Sequence, residues 1–428
     1  MVPHFFGPPG LQLVAMHVSA TIWCAITLTV PVLAQETQDL NLAQTLAAVE
    51  LHNPELAVIA QQRVLAGAET RVARAYPNPQ LEISAGPWRS RLGAPAGNAQ
   101  SVGIAQLLES PSVRETRAAL ADHGVTAAEA QVQTARLAIG YQARQAFYEL
   151  LRRQEEEGLA RENERLLREI LGRVSKRVEV GEAPRLELIR AEAEALAARN
   201  LATSAFLRAE EARGVLRRLT ANALPLQFEA RGALPTPSPA PPLPSLQSRV
   251  LEAHPSLAAA VAERARAGAQ IDYERALRYP QPTLRLGESQ DPETRQISIG
   301  IEFPLPLWNR RDGQIAKAQA VVDLAAAQFE AQRAQLLREL DSAYARMSIA
   351  QRLIETFEAG LLRSAESALQ VAEAAYRFGE RGFLEVLDAQ RTLRSVRSDY
   401  TQARFDRNAA WLEIERLLAL DPFAPDGA

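Results

Sequence analysis

The sequence predicts a mainly α protein with a small β part, laid out as two copies of one plan. Three observations carry that prediction. Long proline-free stretches are rich in Ala, Leu, Glu and Arg, and aromatics make up only 6% of the chain. Such composition favours extended helices over a compact core. An internal duplication pairs 53-NPELAVIAQQRVLAGAETRVARAYPNPQLEIS-84 with 254-HPSLAAAVAERARAGAQIDYERALRYPQPTLRLG-287. Each copy then holds two short stretches of period-two alternation, the pattern of a strand with one apolar face. The expected fold is a pair of long-helix coiled-coil hairpins with two β-hairpins.

In chain order, residues 1–34 hold no Lys, Arg, Asp or Glu and include the apolar run 20-ATIWCAITLTVPVLA-34. This reads as a secretory signal, with Val32 and Ala34 at the small positions of a cleavage site. The run is shorter than the ~20 apolar residues a membrane-spanning helix needs. Cys24 is the single cysteine, and the preceding Ile22-Trp23 does not suit an acylation site. The mature chain is therefore expected to hold no disulfide and no thiolate metal site. No later segment is apolar enough for a membrane helix, so entry into a membrane calls for a barrel. A net charge of -3 lacks the basic balance of a nucleic-acid binder.

The first copy is expected over 35–222: a helix, strands near 80–87 and 101–108, a long helix over 112–177 and a further helix over 184–219. Ser110-Pro111-Ser112 marks the start of the long helix. Val125, Ala128, Val132, Ala135 and Ile139 alternate by three and four along it. The stretch 232-GALPTPSPAPPLPS-245 reads as a connector, within 223–248, that cannot be regular helix or central strand. The second copy is expected over 249–420, with strands near 283–289 and 296–303 and helices over 313–377 and 383–419; residues 421–428 form a tail. Its seam is clearer: Leu336, Leu340, Ala343, Met347, Ala350, Ile354, Phe357 and Leu361 form a heptad row, so the helices pack as coiled coils. A long helix of about 64 residues spans roughly 95 Å. The two shorter helices of a copy sum to a similar length, so they are expected to stack end to end beside it.

Leu81, Ile83 and Ala85 alternate with Glu82 and Ser84, and Ile297, Ile299, Ile301 and Phe303 with Ser298, Gly300 and Glu302. That suits a membrane barrel with a wet lumen as well as any half-exposed sheet. Four strands leave two unpaired edges, while membrane barrels start at about eight strands, so several chains must contribute. Trp88 and Trp308 stand near strand ends, where interfacial aromatics belong.

With this order in hand, the sequence resembles the TolC family of outer-membrane efflux channels. The residues that carry the likeness are YPNPQLE at 76–82, 103-GIAQLLESPSVRETRAALA-121, 299-IGIEFPLPLWNRRDGQIAKAQA-320 and 376-YRFGERGFLEVLDAQRTL-393. The forms 106-QLLESPSVRETR-117 and 303-FPLPLWNRRDG-313 look most like the heavy-metal cation branch. The resemblance implies a homotrimer whose twelve-stranded barrel in outer-membrane lipid continues into a periplasmic α-helical barrel. It also implies docking onto a periplasmic adaptor and an inner-membrane RND-type pump.

Within each copy a glycine breaks the helical run: Gly181 in 178-VEVGEAPRLELIRAE-192, and Gly379 with Gly382 in 376-YRFGERGFLEVLDAQ-390. An isolated helical glycine costs ~1 kcal/mol relative to Ala, so a repeated break reads as a tight turn between helices. The resemblance places these turns at the tunnel tip. It implies interhelix links at Tyr376, Arg381 and Arg404, an acidic partner at Glu187, and pore-constricting acids at Glu385 and Asp388. Other chemistry is not signalled: there is no GxxxxGK[ST], HExxH or CxxC. His52, His123 and His254 have no carboxylate at a repeating metal-ligand spacing, while His52 and His254 stand near helix starts, where polar residues cap. No cofactor, metal site or catalytic residue is expected. Two alternatives remain open: a duct for type I protein secretion or multidrug efflux, and a periplasmic coiled-coil scaffold or adaptor.

Overall fold

Proline and a polar cap start the helices of both copies. Asn53 accepts the backbone N–H groups of Glu55 and Leu56 ahead of Pro54, and His254 accepts that of Ser256 ahead of Pro255. A proline in the first turn loses no helical hydrogen bond and brings the right φ. The computed structural model describes residues 38–89, 96–235 and 241–424. The secretory segment, with Cys24, Val32 and Ala34, lies outside the described residues.

Copy one runs β1 (Gln38–Leu40), α1 (Leu42–His52), α2 (Pro54–Arg74), β2 (Gln80–Trp88), β3 (Gly97–Leu107), α3 (Pro111–Glu179) and α4 (Arg185–Leu219). After β4 (Phe228–Ala230), copy two runs α5 (Leu243–Ala253), α6 (Pro255–Ala276), β5 (Thr283–Gln290), β6 (Arg295–Glu302), α7 (Asp312–Thr356), α8 (Leu362–Arg377) and α9 (Phe383–Leu417). The connector is more ordered than its proline content predicts. β4 precedes the prolines and pairs in parallel with β1, and α5 tolerates Pro244 because it lies in the first turn.

The 69 residues of α3 extend about 100 Å. α2 and α4 flank it on one side, α6 and α9 on the other, and α7 packs beyond α6 and α9. The short helices do stack end to end: Asn53 Nδ2 donates to the carbonyl of Leu219 at 2.9 Å, joining the start of α2 to the end of α4. The layer order is thus α2/α4, α3, α6/α9, α7/α8. The α3–α4 contact is lined by Ala191, Ala198, Ala205 and Ala212 at heptad spacing, all buried. Small residues at such a seam let the backbones approach closely.

The predicted seam of copy two is buried from Leu336 to Phe357, but Leu361 is exposed. The helical run breaks there into a π turn, Phe357–Leu361, in which Gly360 has φ 156°. One extra residue in that turn slips the phase, so that Leu362 rather than Leu361 packs with Phe357, Ala365 and Leu393. In copy one, Ile139 is buried while Val125, Ala128, Val132 and Ala135 are half-buried. α3 has neighbours on two sides, so its buried residues, among them Leu137, Tyr141, Phe147, Tyr148 and Leu150, spread around the helix.

The four long strands form one antiparallel sheet in the order β2-β3-β5-β6. Register places Leu81 opposite Ile104, Ile104 opposite Leu286 and Leu286 opposite Ile299, a continuous apolar face. Trp308 is 94% exposed and lies six residues past the end of β6. Trp88 does not fit the role of an interfacial aromatic, because its register sets it on the polar face with Glu82 and Ser84. The capping expectation is likewise corrected for His52. It ends α1, and Asn53 is the counterpart of His254.

Burial pushes His254 down to about 4, with the Arg416 cation adding to the shift and Glu339 opposing it. The unfolded chain therefore takes up this proton more readily than the folded one. The stability contributed is full above pH 6.5 and is lost as pH falls toward 4, by about 3 kcal/mol. His254→Asn keeps a cap of the Asn53 kind and should flatten the fall in Tm between pH 7 and pH 4.5. An equally steep fall in the variant would assign acid sensitivity elsewhere.

Candidate functional site

Two helix reversals of the same construction lie at the end of the molecule away from the strands. At the end of α3, Glu182 N–H donates to the Arg177 carbonyl at 2.8 Å and Gly181 N–H to that of Val178 at 3.1 Å. At the end of α8, Glu380 N–H donates to Ala375 at 2.9 Å and Gly379 N–H to Tyr376 at 3.1 Å. These paired bonds close the last turn around a left-handed residue, and Gly181 (φ +81°) and Gly379 (φ +76°) are those residues. Gly382 differs: it caps α9 in extended conformation, φ -80° and ψ 157°, where Pro184 caps α4.

Between the turns, Tyr376 of copy two meets copy one. Its hydroxyl donates to Glu187 Oε2 at 3.3 Å, the Arg177 guanidinium lies 4.8 Å from its ring centroid, and Phe383 packs at 5.6 Å. Burial, with the Glu187 carboxylate beside it, pushes the phenol above its ordinary range and keeps it a donor. A cavity of about 410 Å³ adjoins this contact, lined by Ile170, Arg173, Arg177, Tyr376, Phe378 and Phe383. Val180 and Phe378, at equivalent positions one residue before each turn glycine, are 70% and 79% exposed.

The other residues singled out from sequence are placed differently. Arg381 pairs with Glu385 one turn on in its own segment, 3.3 Å apart, and reaches no partner on copy one among the described residues. Asp388 is exposed next to Glu385 along α9 and forms no ion pair among the described residues. Arg404 is not at the tip. It pairs with Glu155 of α3 at 3.3 Å, roughly 33 Å along α9 from Gly382. Sequence reasoning missed Arg177 and the Arg391–Glu194 ion pair between α9 and α4. A basic residue in the last turn of a helix is a known complement to its free carbonyls, and that signal points to Arg177.

A polar seam continues upward between the copies. Gln390 Nε2 donates to Asn163 Oδ1 at 2.9 Å, Arg397 lies 3.5 Å from Glu162, and Thr401 donates to Glu155 at 3.0 Å. No group of three or more His, Cys, Asp or Glu side chains that could hold a metal occurs among the described residues. No described helix is long and apolar enough to cross a membrane.

A duplicated hairpin of helices about 100 Å long, crowned by a four-stranded sheet with one apolar face, is the architecture of the membrane-channel class. The outer membrane efflux protein family model matches residues 45–222 and 246–420, and the chain belongs to that family. It is 30% identical over 351 residues to the cobalt-zinc-cadmium resistance protein CzcC of Cupriavidus metallidurans, covering 81% of this chain and 82% of that one. A shorter match, 26% identical over 130 residues, links it to the outer membrane protein TolC of Escherichia coli, across 30% of this chain and 26% of that one. Among solved structures, the Campylobacter jejuni CmeC outer membrane channel superposes with a TM-score of 0.77 at 16% identity, covering 96% of this chain and 94% of that one. CusC superposes at 0.73 and 18% identity over 88% and 91%. The protein is an outer-membrane efflux channel with a periplasmic extension.

The two glycine types separate experimentally, because no atom lies within 4 Å of a Cβ built at Gly181, Gly379 or Gly382. Gly181→Ala and Gly379→Ala should each cost about 1 kcal/mol, read as a lowered Tm of the detergent-solubilised protein. Gly382→Ser should be neutral or gain about 0.5 kcal/mol as an N-cap. Equal losses at all three positions would contradict this turn geometry.

Proposed function

We propose that three copies of this chain assemble into the outer-membrane duct of a tripartite pump that exports heavy-metal cations. The observation that carries the reading is the sheet. β2 and β6 are bare edges of a sheet with an apolar face, and an open edge is untenable in lipid. Three four-stranded sheets joined edge to edge make one closed twelve-stranded barrel, and the four helical columns of each copy close beneath it. The outer column supports this. Val58, Leu65 and Val72 of α2 stand at heptad spacing and are 60%, 60% and 75% exposed, a coiled-coil seam in want of a partner. Leu324, Ile349 and Leu353 on α7, in the opposite outer column, are exposed in the same way.

The cargo follows from the relative that shares most of the chain, a cobalt-zinc-cadmium resistance protein. The duct itself supplies no energy and no chemistry; an inner-membrane RND-type pump loads it through a periplasmic adaptor. The exposed Val180 and Phe378 suit the tips to that docking. The gate is the tip: Glu385 and Asp388, repeated in three copies, ring the entrance, and Tyr376–Glu187 ties the two hairpins of one copy together. A half-buried hydrogen bond of this kind contributes about 1 kcal/mol, weak enough for an adaptor to release.

Restoring the chain to cells that lack their own duct should raise tolerance to cobalt, zinc and cadmium while leaving drug tolerance unchanged. Leu65→Glu should abolish both the heat-sensitive trimer in outer membranes and the tolerance. Drug tolerance without metal tolerance would overturn the cargo, and a monomeric periplasmic species would overturn the duct. In planar bilayers, Tyr376→Phe with Glu187→Gln should raise single-channel conductance severalfold. Arg381→Glu, which leaves the link between hairpins in place, should raise it less. An unchanged conductance in the double variant would remove Tyr376 and Glu187 from the latch.

A further inference from the structure

The two faces of the sheet treat charge differently. On the apolar face, described charges come as one balanced pair: Glu288 and Arg295 lie in ion-pair contact at the strand ends beside the β5–β6 turn. The polar face carries, over its described strands, only Ser, Gly, Ala, Gln and Thr besides Leu107, Trp88 and three charged residues. Those three form a cluster. Arg285 Nη1 lies 3.2 Å from Glu82 Oε1, and its Nη2 lies 2.7 Å from Glu302 Oε2. One guanidinium shared by two carboxylates leaves one negative charge uncompensated. The register sets all three near the end of the sheet that joins the helices, since Thr283 opposite Glu302 is the first residue of β5.

We propose that Glu82, Arg285 and Glu302 form a charge filter at the junction of barrel and tunnel, and that it selects cations over anions. The inference rests on the trimeric barrel reading above. With the apolar face toward lipid, the cluster faces the lumen, and three copies place a ring of net charge −3 around it. A lumen walled by low-dielectric material focuses such a field on passing ions. Between the ring and Trp88 at the far end of β2 the side chains are small, so at the ring discrimination falls to charge rather than size. Arg285 has two effects here. It holds the carboxylates in place by charge-assisted hydrogen bonds and lowers the net charge, so that a multivalent cation passes without being trapped.

The test is the reversal potential of purified channels in planar bilayers under a KCl gradient. A background of Glu385→Gln with Asp388→Asn removes the tip acids from the reading. Arg285→Gln, at charge −2 per copy, should raise the permeability ratio of K⁺ to Cl⁻ roughly two- to fivefold. Glu82→Gln with Glu302→Gln, at charge +1 per copy, should lower it by a similar factor and bring it to or below unity. Opposite shifts from the two variants establish the filter. Conducting heat-sensitive trimers with one ratio throughout overturn it and leave the duct intact. If the unaltered chain forms no conducting trimer, the barrel reading fails and this inference fails with it.

Discussion

A helix of 69 residues is the constraint on which the rest depends. No compact core can bury a rod about 100 Å long, so α3 must be covered along its length by other helices. Most helical stability comes from such packing rather than from intrinsic propensity. The shorter helices meet the demand by stacking in pairs, and the Asn53–Leu219 hydrogen bond caps one such joint. Midway along, the chain's last described residues lock onto the same helix. Arg144 Nε donates to the Pro422 carbonyl at 2.8 Å, and Pro422 lies so close to Gly140 that a Cβ there would collide with its ring.

The seams differ in their polar content. Within a copy the helices meet through alanine and leucine: Ala198, Ala205 and Ala212 on α4, and Leu336, Leu340 and Ala343 on α7. Between the copies, along α3 and α9, much of the contact is made by Asn163, Gln390, Glu155, Thr401 and Arg397. Asn163, Gln390 and Thr401 are themselves buried, and toward the tip Leu167, Ile170 and Val174 of α3 pack in one apolar cluster with Phe383, Val386 and Leu387 of α9. The join between hairpins is thus mixed, with buried polar groups and apolar side chains sharing the α3–α9 contact. The Tyr376–Glu187 contact sits at the tip end of that join, where a small rotation produces the largest displacement.

Much of the fold was legible because periodicity reports directly on burial. The heptad row from Leu336 to Phe357 is buried as the spacing requires, and the alternation of Ile297, Ile299 and Ile301 marks one face of β6. Gly181 and Gly379 were legible because a left-handed turn has few alternatives to glycine. The departures had both local and long-range causes. Leu361 lost its place to Leu362 through a π turn and Arg381 found a partner in its own segment, while Arg404 does link α9 to α3 through Glu155, but far from the tip.

By itself the sequence determined the helical and strand periods, the duplication, the points of reversal and the family whose motifs it carries. These are local properties, set by side-chain spacing along one chain and by the conformations each residue permits. Only the tertiary structure decided which polar and charged groups meet. It paired Tyr376 with Glu187 across the copies and set two glutamates against Arg285 on one face of the sheet. Ion pairs depend on distances of a few ångströms between residues far apart in sequence, and spacing along the chain does not encode those distances.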